Sequence, residues 1–254
     1  YFNTQKQQQM PDKASIAYRK LRQTIGWLGI SLPLMIYLHT IFLSDCDCVQ
    51  DSISHYYYTS ANVLFVGIFW GLGLVLFFYP SYKGESKIEG WLTSFAGICA
   101  LCVSLFPTDP TSNDSCALFA LSESVLRARI HYGSAAIMLC IFSYMSIFIF
   151  TKTHEGNDLK SDKDFWKRWR NRFYIICGVL TLASVATIGV LTILENNFDF
   201  EFSSKYTYWL EVTALLPFGI AWIIKGGFML TDEGDDSTLA QVKKFFTGKP
   251  QQMK

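Results

Sequence analysis

Long runs of apolar residues divide this 254-residue chain into regular segments, and they restrict its fold more than any other feature. Six runs of about 20 residues are present. At 1.5 Å per residue, a helix of that length crosses the hydrocarbon core of a bilayer, which is about 30 Å thick. Only 17% of the residues are charged, against about 25% in a typical soluble domain. A soluble bundle of buried helices is therefore the less favoured alternative.

The runs predict an all-α integral membrane bundle of six transmembrane helices. They cover about residues 23–43, 61–79, 88–107, 131–151, 172–194 and 206–230. Residues 1–22 are polar and lack the apolar core of a signal peptide, so we expect a cytoplasmic N-terminal segment there. Residues 23–230 form the six-helix transmembrane domain. In the cytoplasmic tail, 231–254, an amphipathic helix lying on the membrane and a solvated, frayed end are equally compatible with the pattern.

Basic residues between the runs predict the orientation, because Lys and Arg of short loops collect on the cytoplasmic side. The N-terminal segment holds five of them, the loop after the second run two, and the loop after the fourth run seven. The three opposite loops hold only Arg127, Arg129 and Lys205 and are rich in acidic residues. Both ends of the chain are therefore predicted inside, N-in and C-in. We expect the protein in a plasma membrane or a bacterial inner membrane.

Three of the seven cysteines, Cys46, Cys48 and Cys116, fall in loops predicted to face outward. An oxidising compartment on that side would permit a disulfide. A bridge from Cys116 to either Cys46 or Cys48 would join the first two outer loops. Free thiols and a Cys-Asp-Cys metal site are the alternatives. The four remaining cysteines lie within the runs and are interpreted as small packing residues.

A segment that alternates aromatic and basic residues precedes the fifth run. Together with a lysine near the end of the sixth run, it is predicted to anchor the protein at the membrane surface through Trp166, Arg168, Trp169, Arg170, Arg172 and Lys225. Trp favours the headgroup level, and each basic residue near an anionic leaflet contributes about 1 kcal/mol. The same alternation occurs in nucleic-acid-binding proteins, but its position beside a transmembrane run favours lipid. No nucleic-acid partner is expected.

Ionisable side chains inside or beside transmembrane helices are costly and mark candidate functional sites. The predicted orientation places most of them near the outer leaflet, in a candidate ligand-binding cluster of His39, Ser54, His55, Tyr56, His131, Glu195 and Glu211. A His–Glu pair there could transfer a proton or bind a polar headgroup. Three His and a carboxylate could also hold a metal, but no tight ligand spacing occurs, so neither metal nor cofactor is predicted. Helix capping and pairing across the bundle are the structural alternative.

Three short motifs occur in order along the chain. They are Ser52-Ile53-Ser54-His55 before the second run, Ile130-His131-Tyr132-Gly133-Ser134-Ala135 opening the fourth, and Trp209-Leu210-Glu211 in the sixth. In these motifs the chain resembles the six-span Frag/DRAM/Sfk membrane protein family and its bacterial relatives of unknown function, over about residues 20–230. The resemblance implies a six-helix membrane fold and lipid as the ligand class, without a reaction. The tyrosines after His55 and Lys225-Gly226 are closer to the bacterial relatives.

We favour a protein that binds lipid or a membrane partner on its outer side without catalysis. The first alternative is a membrane-embedded, lipid-modifying hydrolase with His131 or His55 as base, Glu211 orienting it, and Ser54 as the candidate nucleophile. That reaction needs the imidazole and carboxylate within about 3 Å of each other, directly or through one water. An accessory subunit of a larger membrane complex is also compatible with the sequence. A transporter ranks lower, because the runs contain few prolines and no midplane ion pair.

Overall fold

The computed structural model describes residues 13–44, 49–80, 87–110, 116–152, 163–198 and 205–229. These residues form six α-helices and one short 3-10 helix, with no strand among them. The elements are α1 (Lys13–Phe42), the 3-10 helix (Ile53–Tyr58), α2 (Asn62–Phe77), α3 (Lys87–Leu105), α4 (Val125–Tyr144), α5 (Lys163–Phe198) and α6 (Tyr206–Lys225). A π-helical turn, Met145–Ile149, extends α4. The predicted all-α fold is confirmed, while the tail at 231–254 lies outside the described residues.

Five helical segments are long and apolar enough to cross a membrane. They are Ile16–Phe42, Ile88–Leu105, Val125–Ile149, Lys167–Glu195 and Tyr206–Lys225. Although α2 is also apolar, its 16 residues give only about 24 Å of helix against a core of roughly 30 Å. A sixth span therefore stays a prediction.

Two helices extend beyond the predicted runs. The first, α1, begins at Lys13, so the end of the predicted N-terminal cytoplasmic segment is helical. The second, α5, has 36 residues and a length of about 54 Å. It therefore includes the aromatic and basic segment that was predicted to lie on the membrane surface.

Each helix packs against its neighbours in the chain, and α6 closes the ring by packing against α1. Contacts between helix ends show that neighbouring helices run in opposite directions. At one end, Arg22 near the start of α1 contacts Tyr79 just after α2 and Glu89 near the start of α3. We call this the basic end. At the other, which we call the polar end, the 3-10 helix contacts the starts of α4 and α6.

Close helix contacts and aromatic packing hold the ring together. A Cβ atom on Gly26 of α1 would lie 2.5 Å from the carbonyl oxygen of Gly219 in α6, so the two backbones touch where neither residue has a side chain. Across the interior, the rings of Phe142 and Phe218 stack with centroids 3.8 Å apart. Small residues at such crossings are typical of helix packing in membranes, because lipid supplies little hydrophobic driving force between helices.

The outward surface of the bundle is strongly apolar. Trp91 and Val63 are each 78% exposed, and Phe78 is 73% exposed. Large apolar side chains are exposed on all six helices, whereas soluble monomers rarely expose large apolar patches. Together with the five long apolar helices, this surface is that of a membrane protein.

Candidate functional site

The 3-10 helix before α2 is the centre of the polar end. Its first turn is capped by Ser52, whose hydroxyl oxygen accepts a hydrogen bond from the backbone N–H of His55 at 3.3 Å. Ile53, Ser54, Tyr56 and Tyr58 are buried. Irregular backbone within a bundle must satisfy its polar groups internally, because the surrounding lipid offers no hydrogen bonds. The neighbouring helices and loops supply those partners.

Ser54 and His131 form a buried hydrogen-bonded pair. The hydroxyl oxygen of Ser54 lies 2.8 Å from Nε2 of His131, and His131 is only 1% exposed. On the other side of the ring, Nδ1 lies 2.9 Å from the carbonyl oxygens of both Val103 and Phe106. Carbonyl oxygens only accept, so Nδ1 carries the hydrogen. In the neutral ring, Nε2 is then an acceptor and the Ser54 hydroxyl donates to it.

Glu211 binds the residue next to Ser54. The backbone N–H of Ile53 donates to a carboxylate oxygen of Glu211 at 2.5 Å. The first N–H groups of a helix lack partners within it, and a carboxylate binds them strongly. Among the described residues, two backbone carbonyls rather than Glu211 orient the imidazole of His131, contrary to the arrangement considered from the sequence.

The loop after α3 contributes four consecutive residues to the polar end. The carbonyl of Phe106 binds His131, and that of Pro107 accepts from Nε of Arg127 at 3.0 Å. The carbonyl of Thr108 accepts from the hydroxyl of Tyr58, and Asp109 forms a 2.7 Å ion pair with Arg127. From the sequence, Arg127 was counted only as a charge that indicates topology, and nothing local in the sequence pairs it with Asp109.

Burial also affects a tyrosine in this region. The Tyr58 side chain is 1% exposed, and this burial raises the pKa of its hydroxyl above the ordinary value. The hydroxyl therefore remains a donor to the Thr108 carbonyl at neutral pH. This bond ties the end of the 3-10 helix to the loop that holds His131.

The other residues of the predicted cluster have separate partners or positions. Tyr56 accepts a hydrogen bond from Thr40 of α1 at 3.1 Å, and Glu195 accepts one from Tyr206 at 2.8 Å. His55 is half-buried within the 3-10 helix. His39 is half-buried near the end of α1, and no hydrogen bond or ion pair of its ring occurs among the described residues. The described residues contain no group of three or more His, Cys, Asp or Glu placed to hold a metal.

The predicted disulfide falls partly outside the described residues, because Cys46 and Cys48 are not among them. Cys116 is buried at the polar end. The free thiols in the described part of the chain are Cys99, Cys102, Cys140 and Cys177. The bridge to Cys116 therefore stays a prediction.

The predicted surface anchors lie at the basic end. In α5, Arg168, Trp169 and Arg172 are exposed, and the guanidinium carbon of Arg172 lies 5.6 Å from the centre of the Trp169 ring. Arg170 is half-buried. The Trp166 side chain lies outside the described set.

Lys225 has a partner within the protein. Its ammonium group donates to the carbonyl oxygen of Phe150 at 3.3 Å and lies 5.5 Å from the centre of the Phe150 ring. It therefore ties the end of α6 to the end of α4.

The basic end contains a buried ion pair that was not predicted from the sequence. Arg22, counted there as a cytoplasmic loop residue, is 6% exposed and donates to a carboxylate oxygen of Glu89 at 3.0 Å. The hydroxyls of Tyr18 and Tyr79 accept from the same guanidinium group. From the sequence, Arg22 was only a positive charge that indicates topology. Its partner Glu89 lies 67 residues further along the chain, so no local pattern predicts the pair.

Two apolar grooves flank α3. One, of about 520 Å³, lies between α2 and α3 and is lined by Phe77, Tyr79, Gly90, Trp91, Ser94, Phe95 and Ile98. The other, of about 340 Å³, lies between α3 and α4 and is lined by Leu92, Ala136, Ile137, Cys140, Ile141 and Tyr144. Both volumes are in the range of small-molecule sites. The larger groove begins at the basic end, beside Glu89.

Comparison with protein-family models, with curated proteins and with solved structures finds no match for this chain. The geometry of its own residues is therefore the basis for assigning a function.

Proposed function

We propose that this chain is a membrane protein with six spans and both ends inside that binds a membrane phospholipid. The alternating directions of the six helices support the topology, as does the excess of Lys and Arg at the basic end. In this orientation α2 spans a locally thinned bilayer, which has a modest energetic cost. The polar end then faces outward, where a bridge from Cys116 to Cys46 or Cys48 is part of the proposal.

The groove between α2 and α3 is the observation that supports lipid binding. Trp91 and Phe95 supply aromatic walls, while Gly90 and Ser94 leave the space between the helices open. From Gly90 to Ile98 the groove covers about 12 Å of α3, close to the depth of one leaflet. An acyl chain fits this shape and this apolar lining.

The choice of headgroup in this proposal rests on the sequence that precedes the groove residues of α3. The segment that joins α2 to α3 carries Lys83 and Lys87, and Lys87 is the first residue of α3. Basic residues near the membrane surface attract anionic lipids by about 1 kcal/mol each, so the presence of two lysines in this stretch of sequence favours an anionic headgroup. The proposed occupant is an anionic phospholipid of the inner leaflet. This site differs from the outer-leaflet cluster favoured by the sequence, where Ser54, His131 and Glu211 have hydrogen-bond partners within the protein.

The experiment is to purify the protein in a mild detergent and measure retained phospholipid by mass spectrometry. We expect wild-type protein to keep an anionic phospholipid through washing, and Ser94→Phe to lose most of it because the new ring fills the groove. The matched control is Gly67→Phe, since a Cβ atom on Gly67 of α2 meets nothing within 4 Å. Equal retention by Ser94→Phe and wild type would overturn the proposal.

A further inference from the structure

We propose that Ser54 is a nucleophile that takes the acyl group of a lipid carboxylic ester, with His131 as its base. The Oγ–Nε2 distance of 2.8 Å is within the range at which a base activates a serine. This site is separate from the phospholipid groove and needs no lipid bound there. It also departs from the non-catalytic role favoured by the sequence.

The ring of His131 is held in the tautomer that the reaction needs. Because the carbonyls of Val103 and Phe106 fix the hydrogen on Nδ1, Nε2 faces Ser54 as an acceptor. In Ser-His-Asp enzymes a carboxylate performs this orienting role and stabilises the imidazolium that forms. Two carbonyl dipoles do so here, so we expect slower turnover than in those enzymes.

The reaction balances without a further reagent except water. As Oγ of Ser54 forms a bond to the ester carbon, its proton moves to Nε2 of His131 and the carbonyl electron pair moves to oxygen. When the pair returns, the bond to the alcohol oxygen breaks, and Nε2 returns the proton to that oxygen. Water then adds to the acyl-serine with its proton taken by Nε2. The Ser54–acyl bond breaks, the fatty acid leaves, and the serine regains its proton.

A spare hydroxyl lies in the same loop as one of the orienting carbonyls. The side-chain oxygen of Thr108 is buried and has no hydrogen-bond partner in the part of the chain that the structure describes. Thr108 is two residues beyond Phe106, whose carbonyl holds His131. Donors near the carbonyl oxygen of an ester stabilise the charge that develops on it. Thr108 is the candidate for such a donor in the proposed site.

The surroundings select a substrate that comes from the bilayer. Ser54 is only 9% exposed, and exposed apolar side chains such as Leu118, Val125 and Leu126 surround the start of α4. These apolar side chains lie beside the start of the helix that carries His131, so an ester with an acyl chain that resides in the lipid matches them in character.

The test is covalent labelling of the purified full chain with a long-chain alkyl fluorophosphonate. Such a probe bonds through phosphorus to an activated serine and releases fluoride, while the serine proton passes to the base. Peptide mass spectrometry of wild-type protein is expected to find the adduct on Ser54. The Ser54→Ala variant should form no such adduct, and the His131→Gln variant should be labelled at least about 100-fold more slowly than wild type. Ser143→Ala is the matched control, because Ser143 is also buried but donates to the carbonyl of Gly178 at 2.7 Å.

Labelling of both folded and denatured protein distinguishes a loss of serine reactivity from a loss of folding. Wild-type protein is labelled both as folded protein, verified by a single gel-filtration peak, and after heat denaturation. The proposal predicts that Ser54 reacts only in the folded chain. It is overturned if folded wild type gives no adduct at Ser54, if denatured protein reacts equally fast, or if a folded His131→Gln variant labels at the wild-type rate. None of these results depends on lipid retention in the groove between α2 and α3.

Discussion

The guanidinium group of Arg22 lies 3.0 Å from a carboxylate oxygen of Glu89, and both side chains are almost completely buried. The pair joins the start of α1 to the start of α3. Hydroxyl groups of Tyr18 and Tyr79 complete the hydrogen bonds of this cluster. Burying two charges is costly unless they pair and bind further polar groups, as these do.

Removing one member of this pair should destabilise the protein strongly. We expect Glu89→Ala to cost about 3–5 kcal/mol, because Arg22 is left as a buried charge without its carboxylate. The double variant Arg22→Met with Glu89→Leu should be more stable than Glu89→Ala alone, since it also removes the buried positive charge. Thermal unfolding in detergent measures both, with Glu123→Ala at the exposed Glu123 as control. A Glu89→Ala protein as stable as wild type would contradict the prediction.

The carboxylate of Glu211 should hold the 3-10 helix in place. Glu211→Ala leaves the N–H of Ile53 without its acceptor, at a cost of about 1–3 kcal/mol. Glu211→Gln keeps a side-chain oxygen and should lose less. Amide hydrogen exchange over residues 53–58 should accelerate in the alanine variant. Glu123→Gln is the control, and equal effects of the two Glu211 substitutions would argue against the capping role.

The crossing of α1 and α6 should not tolerate even one methyl group. A Cβ atom on Gly219 would lie 2.7 Å from the carbonyl oxygen of Gly26 and 2.6 Å from a side-chain carbon of Ile30. Gly219→Ala must push the helices apart, at a cost of about 1–3 kcal/mol. Gly189→Ala is the control, because a Cβ atom there meets nothing within 4 Å. Thermal unfolding distinguishes them, and similar midpoints for both variants would refute the close contact.

The orientation can be tested with a membrane-impermeant maleimide on intact cells. A cysteine at Ser60, exposed at the polar end, should be labelled from outside. A cysteine at Lys152, exposed at the basic end, should be labelled only after the membrane is permeabilised. Mass spectrometry of the labelled peptides distinguishes these sites from native cysteines. Mass spectrometry of peptides prepared without reductant identifies any peptide that is disulfide-linked to Cys116. The opposite labelling pattern would overturn the N-in, C-in topology.

The helices could be predicted well because each depends on its own residues. The run at about 206–230 corresponds to α6 at Tyr206–Lys225, and the run at 88–107 to α3 at Lys87–Leu105. The start of α1 was missed, because Arg19 and Arg22 are polar in sequence and were read as loop residues. Both find partners inside the bundle: Arg19 donates to the carbonyl of Gly227 at 3.1 Å, and Arg22 to Glu89.

For the candidate site, the sequence predicted only how deep in the membrane its residues lie. Charge counting placed Ser54, His131 and Glu211 near one leaflet, but depth does not decide which groups meet. Ile53 and Glu211 are 158 residues apart, and Ser54 and His131 are 77 apart. Those contacts exist because α4 and α6 both begin beside the 3-10 helix, which follows from helix order around the ring.

From the sequence alone, length and apolarity determine that five of the six runs form helices long enough to span a membrane, since lipid leaves the backbone no other partner than itself. The distribution of Lys and Arg predicts their direction. Only the tertiary structure decided that His131 is oriented by two carbonyls, that Glu211 caps the 3-10 helix, and that Arg22 is a buried ion-pair partner. Hydrophobicity acts residue by residue, whereas a buried hydrogen bond needs two groups brought together by the packing of distant helices.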